Sequence, residues 1–238
     1  MVNYQSTCSI VLKEKEINEW DKIFVVFSRD FGKIEITARA IRKITSKLRS
    51  GIELFSLSEL IFIQAGNKRI LIDVAKKERF DNVFNDVRLF RLMCWISQLI
   101  DYFVKGQEKD EKTFDFLLDF LKKINSTKKV RNYFLISQYF FWNFLAFLGY
   151  CLELEKCLIC GRKINSNRIW FSLRNGGVFC NDCTKPEGVR EVPISIVKIL
   201  KLILNRRWDY LICLEINFED QRLLKEFCQE AFLVFGKP

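Results

Sequence analysis

Apolar and polar positions repeat with period two early in the chain and every three or four residues later. The change falls close to residue 79. Ser9-Ile10-Val11-Leu12 and Ile23-Phe24-Val25-Val26-Phe27 are short apolar runs. Lys33-Ile34-Glu35-Ile36-Thr37-Ala38-Arg39 alternates strictly, as a half-buried strand does, and Asp30-Phe31-Gly32 supplies a turn before it. Leu60-Ile61-Phe62-Ile63 and Ile70-Leu71-Ile72 flank Ala65-Gly66-Asn67-Lys68, a hairpin signal. Five short strands here leave no room for crossover helices, so a small antiparallel barrel is expected. An OB-fold leads and an SH3-like barrel is the alternative; periodicity does not separate them.

From residue 80 the period becomes helical. Val83, Val87, Phe90, Met93, Ile96, Ile100 and Phe103 form one stripe, and Phe114, Leu117, Leu118, Leu121 and Ile124 a second. Gly106 to Glu111 reads as a polar connector, and an uncharged segment at 133–150 as a third helix. Two later helices carry Ile196, Ile199, Leu200 and Ile203, then Leu224, Phe227, Cys228, Ala231 and Phe235, with Glu219 and Asp220 in the first turn of the last. Such stripes are ordinarily core. The segment Asn132–Leu152 is long enough without charge to span a bilayer, but Asn132, Ser137, Gln138 and Asn143 dilute it, and a buried central helix is the better reading.

Two C-x-x-C pairs interrupt the helical part. Cys157-Leu-Ile-Cys160 and Cys180-Asn-Asp-Cys183 stand nineteen residues apart, the spacing of a four-thiolate zinc site. Gly161 follows the first pair, where a tight knuckle favours glycine. Asn175-Gly176-Gly177 marks a turn between Arg168–Leu173 and Val178-Phe179-Cys180. Four cysteine ligands leave no position for water, so the ion would be structural. The expected organisation is α+β and multidomain: an OB-fold barrel over 1–79, then an all-α domain over 80–238, interrupted by a zinc-ribbon module at 153–186.

Composition narrows the chemistry. The chain has 238 residues, 23 Phe, 3 Pro and no His. Lacking imidazole, it has no His-dependent triad or His-ligated zinc hydrolase. Neither a P-loop nor a G-x-G-x-x-G signature occurs. Asp81, Asp86, Asp110 and Glu111 read as helix-terminal or loop residues rather than a two-metal constellation, and an enzyme is not expected. The five cysteines outside the two pairs, Cys8, Cys94, Cys151, Cys213 and Cys228, sit among apolar neighbours and are expected to be buried thiols. With no secretory signal evident, they fit a reducing cytoplasm.

The net charge is +10, which suggests a polyanionic partner. Arg39, Arg42, Lys43, Lys47 and Arg49 fall within one acid-free stretch after the third strand, next to the groove that OB-folds use for single strands. Five phosphate contacts there would give a log–log salt slope of about −3.5. Phe31 and Phe55 are candidates for base stacking. A second cluster comprises Lys122, Lys123, Lys128, Lys129 and Arg131, and the ribbon adds Arg162, Lys163, Arg168 and Arg174.

A small barrel, then helices, then C-x-x-C-G…C-x-x-C within the helical part resembles the RecO family of bacterial recombination mediators. The likeness rests first on Ser9–Leu12 with Phe24–Lys33, and second on Ala38-Arg39-Ala40-Ile41-Arg42-Lys43. It is most specific in Leu145–Tyr150, Leu154–Gly161, Phe171 and Gly176–Cys180. Ala40 stands where the family usually has Gly, and Leu54 and Leu152 replace expected prolines. The resemblance implies binding to single- and double-stranded DNA, annealing of complementary strands, and, with RecR, loading of RecA onto strands coated by single-strand-binding protein. It also implies zinc ligation by Cys157, Cys160, Cys180 and Cys183. A zinc-ribbon nuclease and a membrane-associated scaffold are the alternatives.

Overall fold

The computed structural model describes residues 4–127, 130–164 and 168–236. It divides into two compact units, Met1–Lys128 and Lys129–Pro238.

In the first unit, β1 (Tyr4–Glu16), β2 (Lys22–Ser28), β3 (Gly32–Ala38), β4 (Leu57–Ala65) and β5 (Lys68–Glu78) close into a barrel of order β1-β2-β3-β5-β4. All pairings are antiparallel except β3 with β5, which closes through Thr37 and Ile70. This five-stranded closure is the OB-fold, and it removes the exposed edges that an open sheet of this size would leave. The alternation in β3 puts Ile34, Ile36 and Ala38 inside, with Phe24, Val26, Leu60, Phe62 and Leu71. The β4–β5 turn falls at Gly66, φ +60°, as its hairpin signal indicates.

Three helices complete this unit: α1 (Asp81–Asn85), α2 (Val87–Phe103) and α3 (Glu111–Ser126). The apolar stripe running from Val83 to Phe103 is therefore not one helix. Asp86 is extended and its carboxylate accepts from the Arg88 amide, so it caps α2 and ends α1. Asp110 caps α3 in the same way through the Thr113 amide. Register shifts in β1 between Val11 and Lys13, and the Leu12 carbonyl there accepts from the Ser97 hydroxyl of α2 at 2.8 Å. Gly32, φ +62°, faces the Glu108 carbonyl so closely that a Cβ would overlap it. Glycine is thus required where the connector after α2 crosses the β2–β3 turn.

The second unit is built on α4 (Tyr133–Phe147), buried around most of its circumference. Its polar residues are satisfied internally. Asn143 donates to the Ile203 carbonyl at 2.8 Å, while Gln138 accepts from the Trp142 indole and the Cys228 thiol. At about 1.5 Å per residue α4 is shorter than a bilayer core, and no helix among the described residues is long and apolar enough to cross a membrane. A sheet of order β7-β6-β8 follows, from β6 (Arg168–Ser172), β7 (Gly177–Phe179) and β8 (Arg190–Pro193). Then come α5 (Ile194–Leu204), α6 (Trp208–Leu211) and α7 (Phe218–Phe235), the last capped by Asn217.

Of the five cysteines expected to be buried, Cys228 is. Cys8 and Cys94 are half-buried, and Cys151 and Cys213 are exposed. Cys151 and Cys213 lie outside regular elements, where apolar neighbours in sequence do not fix the direction of a side chain, and Cys8 in β1 and Cys94 in α2 are on faces that are only partly covered.

Candidate functional site

The first site lies in the β6–β7 module. The knuckle at Cys157–Cys160 closes through the Gly161 amide, which donates to the Cys157 carbonyl at 2.9 Å, with Gly161 at φ +69°. A bridge between Lys156 and Lys163 pins its ends. The Leu158 amide donates to the Val178 carbonyl, which sets the knuckle against β7 and so brings Cys180 and Cys183 opposite the first pair.

The four sulfurs of Cys157, Cys160, Cys180 and Cys183 lie within 4.8 Å of one another. Cys160 and Cys180 are 3.8 Å apart, too far for a disulfide, and the cysteines are free thiols. Four thiolates around a tetrahedral ion at about 2.3 Å would be separated by about 3.8 Å, so the cluster has the size of such a site. Its electrostatics also fit a cation. Burial pushes the Cys157 thiol up, but backbone hydrogen bonds from Cys160, Cys180 and Ile159 outweigh it and bring it to about 6. Hydrogen bonding with Cys180, together with burial, pushes Cys183 up to about 12. Some donors are thus prepared as thiolates, while the full set needs a positive centre to lose its last proton.

The second site is the β3–β4 loop, whose Arg39, Arg42, Lys43, Lys47 and Arg49 are all exposed. Short backbone hydrogen bonds run through it, from Lys43 to Ala40, Ser46 to Lys43, Arg49 to Ser46 and Gly51 to Leu48. Ile41 and Ile52 are buried in the barrel core at its two ends. The loop is therefore a chain of turns pinned at both ends. Its first turn docks on the β1–β2 loop, where the Arg42 amide donates to the Trp20 carbonyl at 3.1 Å and the Ala40 amide to Asp21 at 2.7 Å. Together, Arg42, Arg49 and Lys22 line a cavity of about 280 Å³ floored by Phe24, Ile41 and Ile52.

The five cations are not equivalent. Arg42 pairs with Glu16 at 3.0 Å. Lys43 holds its ammonium 5.5 Å from the centre of the Trp20 ring. Arg39, Lys47 and Arg49 form no ion pair among the described residues, although Arg39 acts through space on the Asp21 carboxylate. Phe55 is buried at φ +54° with its ring edge on Phe90, which removes it as a stacking residue, and Phe31 packs edge-on against Phe62. The aromatic that does reach solvent beside the basic loop is Trp20, which lies outside the strand and helix periodicities. Its signal was present: a lone large aromatic between Glu19 and Asp21, where neither strand nor helix period requires one.

In the second cluster Lys123 pairs with Asp119 at 2.8 Å and Lys122 with Glu78 at 3.8 Å. Arg131 is exposed, while Lys128 and Lys129 lie outside the described residues. In the metal module Arg162, Lys163 and Arg174 are exposed, and the side chain of Arg168 lies outside the described set. Arg162 faces Asp182 at 3.6 Å, and hydrogen bonding to Cys160 raises its pKa further.

Two family models match the chain. The one described as "Recombination protein O N terminal" covers residues 1–80 and "Recombination protein O C terminal" covers 86–233. Among similar proteins is a "DNA repair protein RecO" from Caldanaerobacter subterraneus subsp. tengcongensis, 28% identical over 203 residues, which covers 85% of this chain and 80% of that protein. A protein of the same description from Dehalococcoides mccartyi is 27% identical over 213 residues, covering 90% and 83%. One from Desulforamulus reducens is 29% identical over 202 residues, covering 84% and 77%.

Proposed function

Because this chain belongs to the RecO family of recombination proteins, with its role in recombinational DNA repair, we propose that it is a DNA-binding mediator. On this reading it binds single and double strands and anneals complementary strands. With RecR it helps RecA load onto strands coated by single-strand-binding protein. The observation that carries the reading is the OB barrel with its anchored, exposed basic loop, in which Arg39, Lys47 and Arg49 form no ion pair among the described residues. Annealing needs repulsion between two phosphate backbones to be screened without the bases being held in a sequence-specific way. Cations on a loop of turns provide that, because phosphate contacts position a strand but do not read it.

The DNA contacts we assign to this function are Arg39, Arg42, Lys43, Lys47 and Arg49, extended by Lys128, Lys129 and Arg131. The barrel domain is taken as 1–79 and the helical domain as 80–238. The family models part between residues 80 and 86, which supports that boundary in sequence, although α1–α3 belong to the same compact unit as the barrel. The metal is assigned as one structural zinc ion on Cys157, Cys160, Cys180 and Cys183, within the module at 153–186. Four thiolates suit zinc, and the closed set would brace the fold without activating water. No bond-making step is assigned to the protein. Asp86 and Asp110 cap α2 and α3, in keeping with the reading of these carboxylates as helix-terminal.

The deciding experiment is annealing of complementary strands coated with single-strand-binding protein, with and without RecR. Annealing that RecR modulates is expected. No annealing at low salt would overturn the reading, and magnesium-dependent hydrolysis lost on mutation of one carboxylate would favour a nuclease.

A further inference from the structure

We propose that Trp20, on the β1–β2 loop, is a stacking platform for an unpaired nucleobase. It would give the barrel a preference for single strands that the basic loop alone does not supply. The proposal rests on the reading of the barrel as a nucleic-acid-binding domain and adds a base contact to its phosphate contacts.

Trp20 is 45% exposed. Exposure of so large an apolar ring is costly, and where a tryptophan stands open beside charge it commonly marks an interface. Its apolar neighbours in the paired loops, Ile17 and Ile44, are exposed as well.

The backbone that carries the ring is firmly held. The side-chain oxygen of Asn18 accepts from the amides of both Trp20 and Asp21 at 2.8 Å. The Trp20 carbonyl accepts from the Arg42 amide, and the Asp21 carboxylate from the Ala40 amide. None of these bonds uses the indole, and among the described residues its N–H makes no hydrogen bond. The fold therefore fixes the backbone that carries the ring and uses the ring itself in the contact with Lys43, an arrangement suited to a preorganised contact.

The surroundings select the ligand. Lys43 sits 5.5 Å from the ring centre, and Arg42, its neighbour in the chain, is paired with Glu16 at 3.0 Å. An aromatic face beside cations matches one nucleotide, a base with its phosphate. The match is independent of sequence, because every base has a π-face. A cation over an exposed ring is worth about two- to five-fold in binding, against about five- to hundred-fold for a base stacked on an aromatic side chain. A base thus either takes the opposite face, with Lys43 staying on the ring, or displaces the ammonium and releases Lys43 towards a phosphate. Duplex bases are already stacked on their neighbours and offer no free face, so the contact favours unpaired strands.

The test compares three ligands of equal length on the full chain at low salt: an oligothymidylate, an abasic phosphodiester strand and a duplex. The wild type is expected to bind oligothymidylate at least about five-fold more tightly than the abasic strand. Trp20→Ala should bring these two within about two-fold while leaving the abasic strand and the duplex unchanged. Trp20→Phe should retain part of the preference. Unchanged metal content and melting temperature would show that the variants fold.

A preference for bases that survives in Trp20→Ala would overturn the proposal. So would an equal loss on the thymidylate and abasic strands, which would mark Trp20 as part of the scaffold or of another surface. Failure of the wild type to bind any of the three would overturn the reading of the barrel along with it.

Discussion

The backbone amide of Ala40 donates to the Asp21 carboxylate at 2.7 Å and ties the start of the basic loop to the turn between β1 and β2. Ala40 holds this position at φ +53°, in the left-handed region that costs an alanine about 1–2 kcal/mol. Glycine would be free of that strain, but it would lose more chain entropy on folding. Ala40→Gly should therefore stabilise the barrel by about 0.5–1 kcal/mol, read from urea unfolding, and leave DNA affinity unchanged. A loss of stability would show that the alanine methyl makes a contact outweighing the strain.

The same hydrogen bond, with one from Asn18, holds the Asp21 carboxyl below its ordinary pKa. A depressed carboxylate contributes above its unfolded pKa and fails as pH falls through the folded value. Hydrogen-exchange protection of the Ala40 amide should accordingly persist from neutral pH down through the ordinary carboxylate range. It should disappear only below that range, and in Asp21→Ala it should be absent at every pH.

Asp101 at the end of α2 receives Lys13 of β1 at 2.8 Å and Lys33 of β3 at 2.9 Å, and these bonds lower its pKa to about 2. The carboxylate is nearly half exposed, so solvent screening reduces its net worth to about 1 kcal/mol. Its unfolded pKa is about 3.9. The contribution is thus complete above about pH 5 and is lost as pH falls through about 4 towards 2. Asp101→Asn should destabilise the first unit by about 1 kcal/mol at pH 7, and the difference from wild type should vanish near pH 2.

What was legible in the chain follows from how local each signal is. The alternation of Lys33–Arg39 and the Gly66 turn are set by neighbouring residues, and both appear as read. The closure of β3 on β5 is not local, since it rests on Thr37 opposite Ile70, so an SH3-like barrel stayed open until the strand order was known. The break at Asp86 was hidden because the apolar stripe continues in phase on both sides. Strand β8 buries Val192 alone of its four residues, too little to form a pattern. The four clustered cysteines were legible because their spacing carries the geometry. Trp20 was not, because its significance lies in which loop packs beside it.

The ion pairs in the basic loop rank its residues. Arg39, Lys47 and Arg49 need break no salt bridge to reach a phosphate, so replacing all three by Gln should make the log–log salt slope shallower by about 2, at about 0.7 per contact. Arg42 is partly neutralised by Glu16 at 3.0 Å. Glu16→Gln should therefore raise affinity for single strands about two- to five-fold at low salt, an effect that fades as added salt screens the pair. Anisotropy titrations across a salt series read both effects. A steeper slope in the triple variant, or weaker binding by Glu16→Gln, would move the DNA path away from this loop.

Metal removal separates bracing from binding. The knuckle is held by short local contacts, among them the Gly161, Leu158 and Cys157 amides and the Lys156–Lys163 bridge, and by the four cysteines themselves. In a module this small the binding free energy of the ion is largely folding free energy, on the order of 10 kcal/mol. Elemental analysis should find about one zinc ion per chain, and a chelator or Cys157→Ser should release it. Protease cleavage should then appear within 153–186 and the melting transition should fall. Affinity for single-stranded DNA should stay within about two-fold, because Arg39, Lys47, Arg49 and Trp20 belong to the other compact unit. An unchanged melting transition after metal loss would refute the brace, and loss of DNA binding together with the metal would place part of the DNA interface in the four-cysteine module itself.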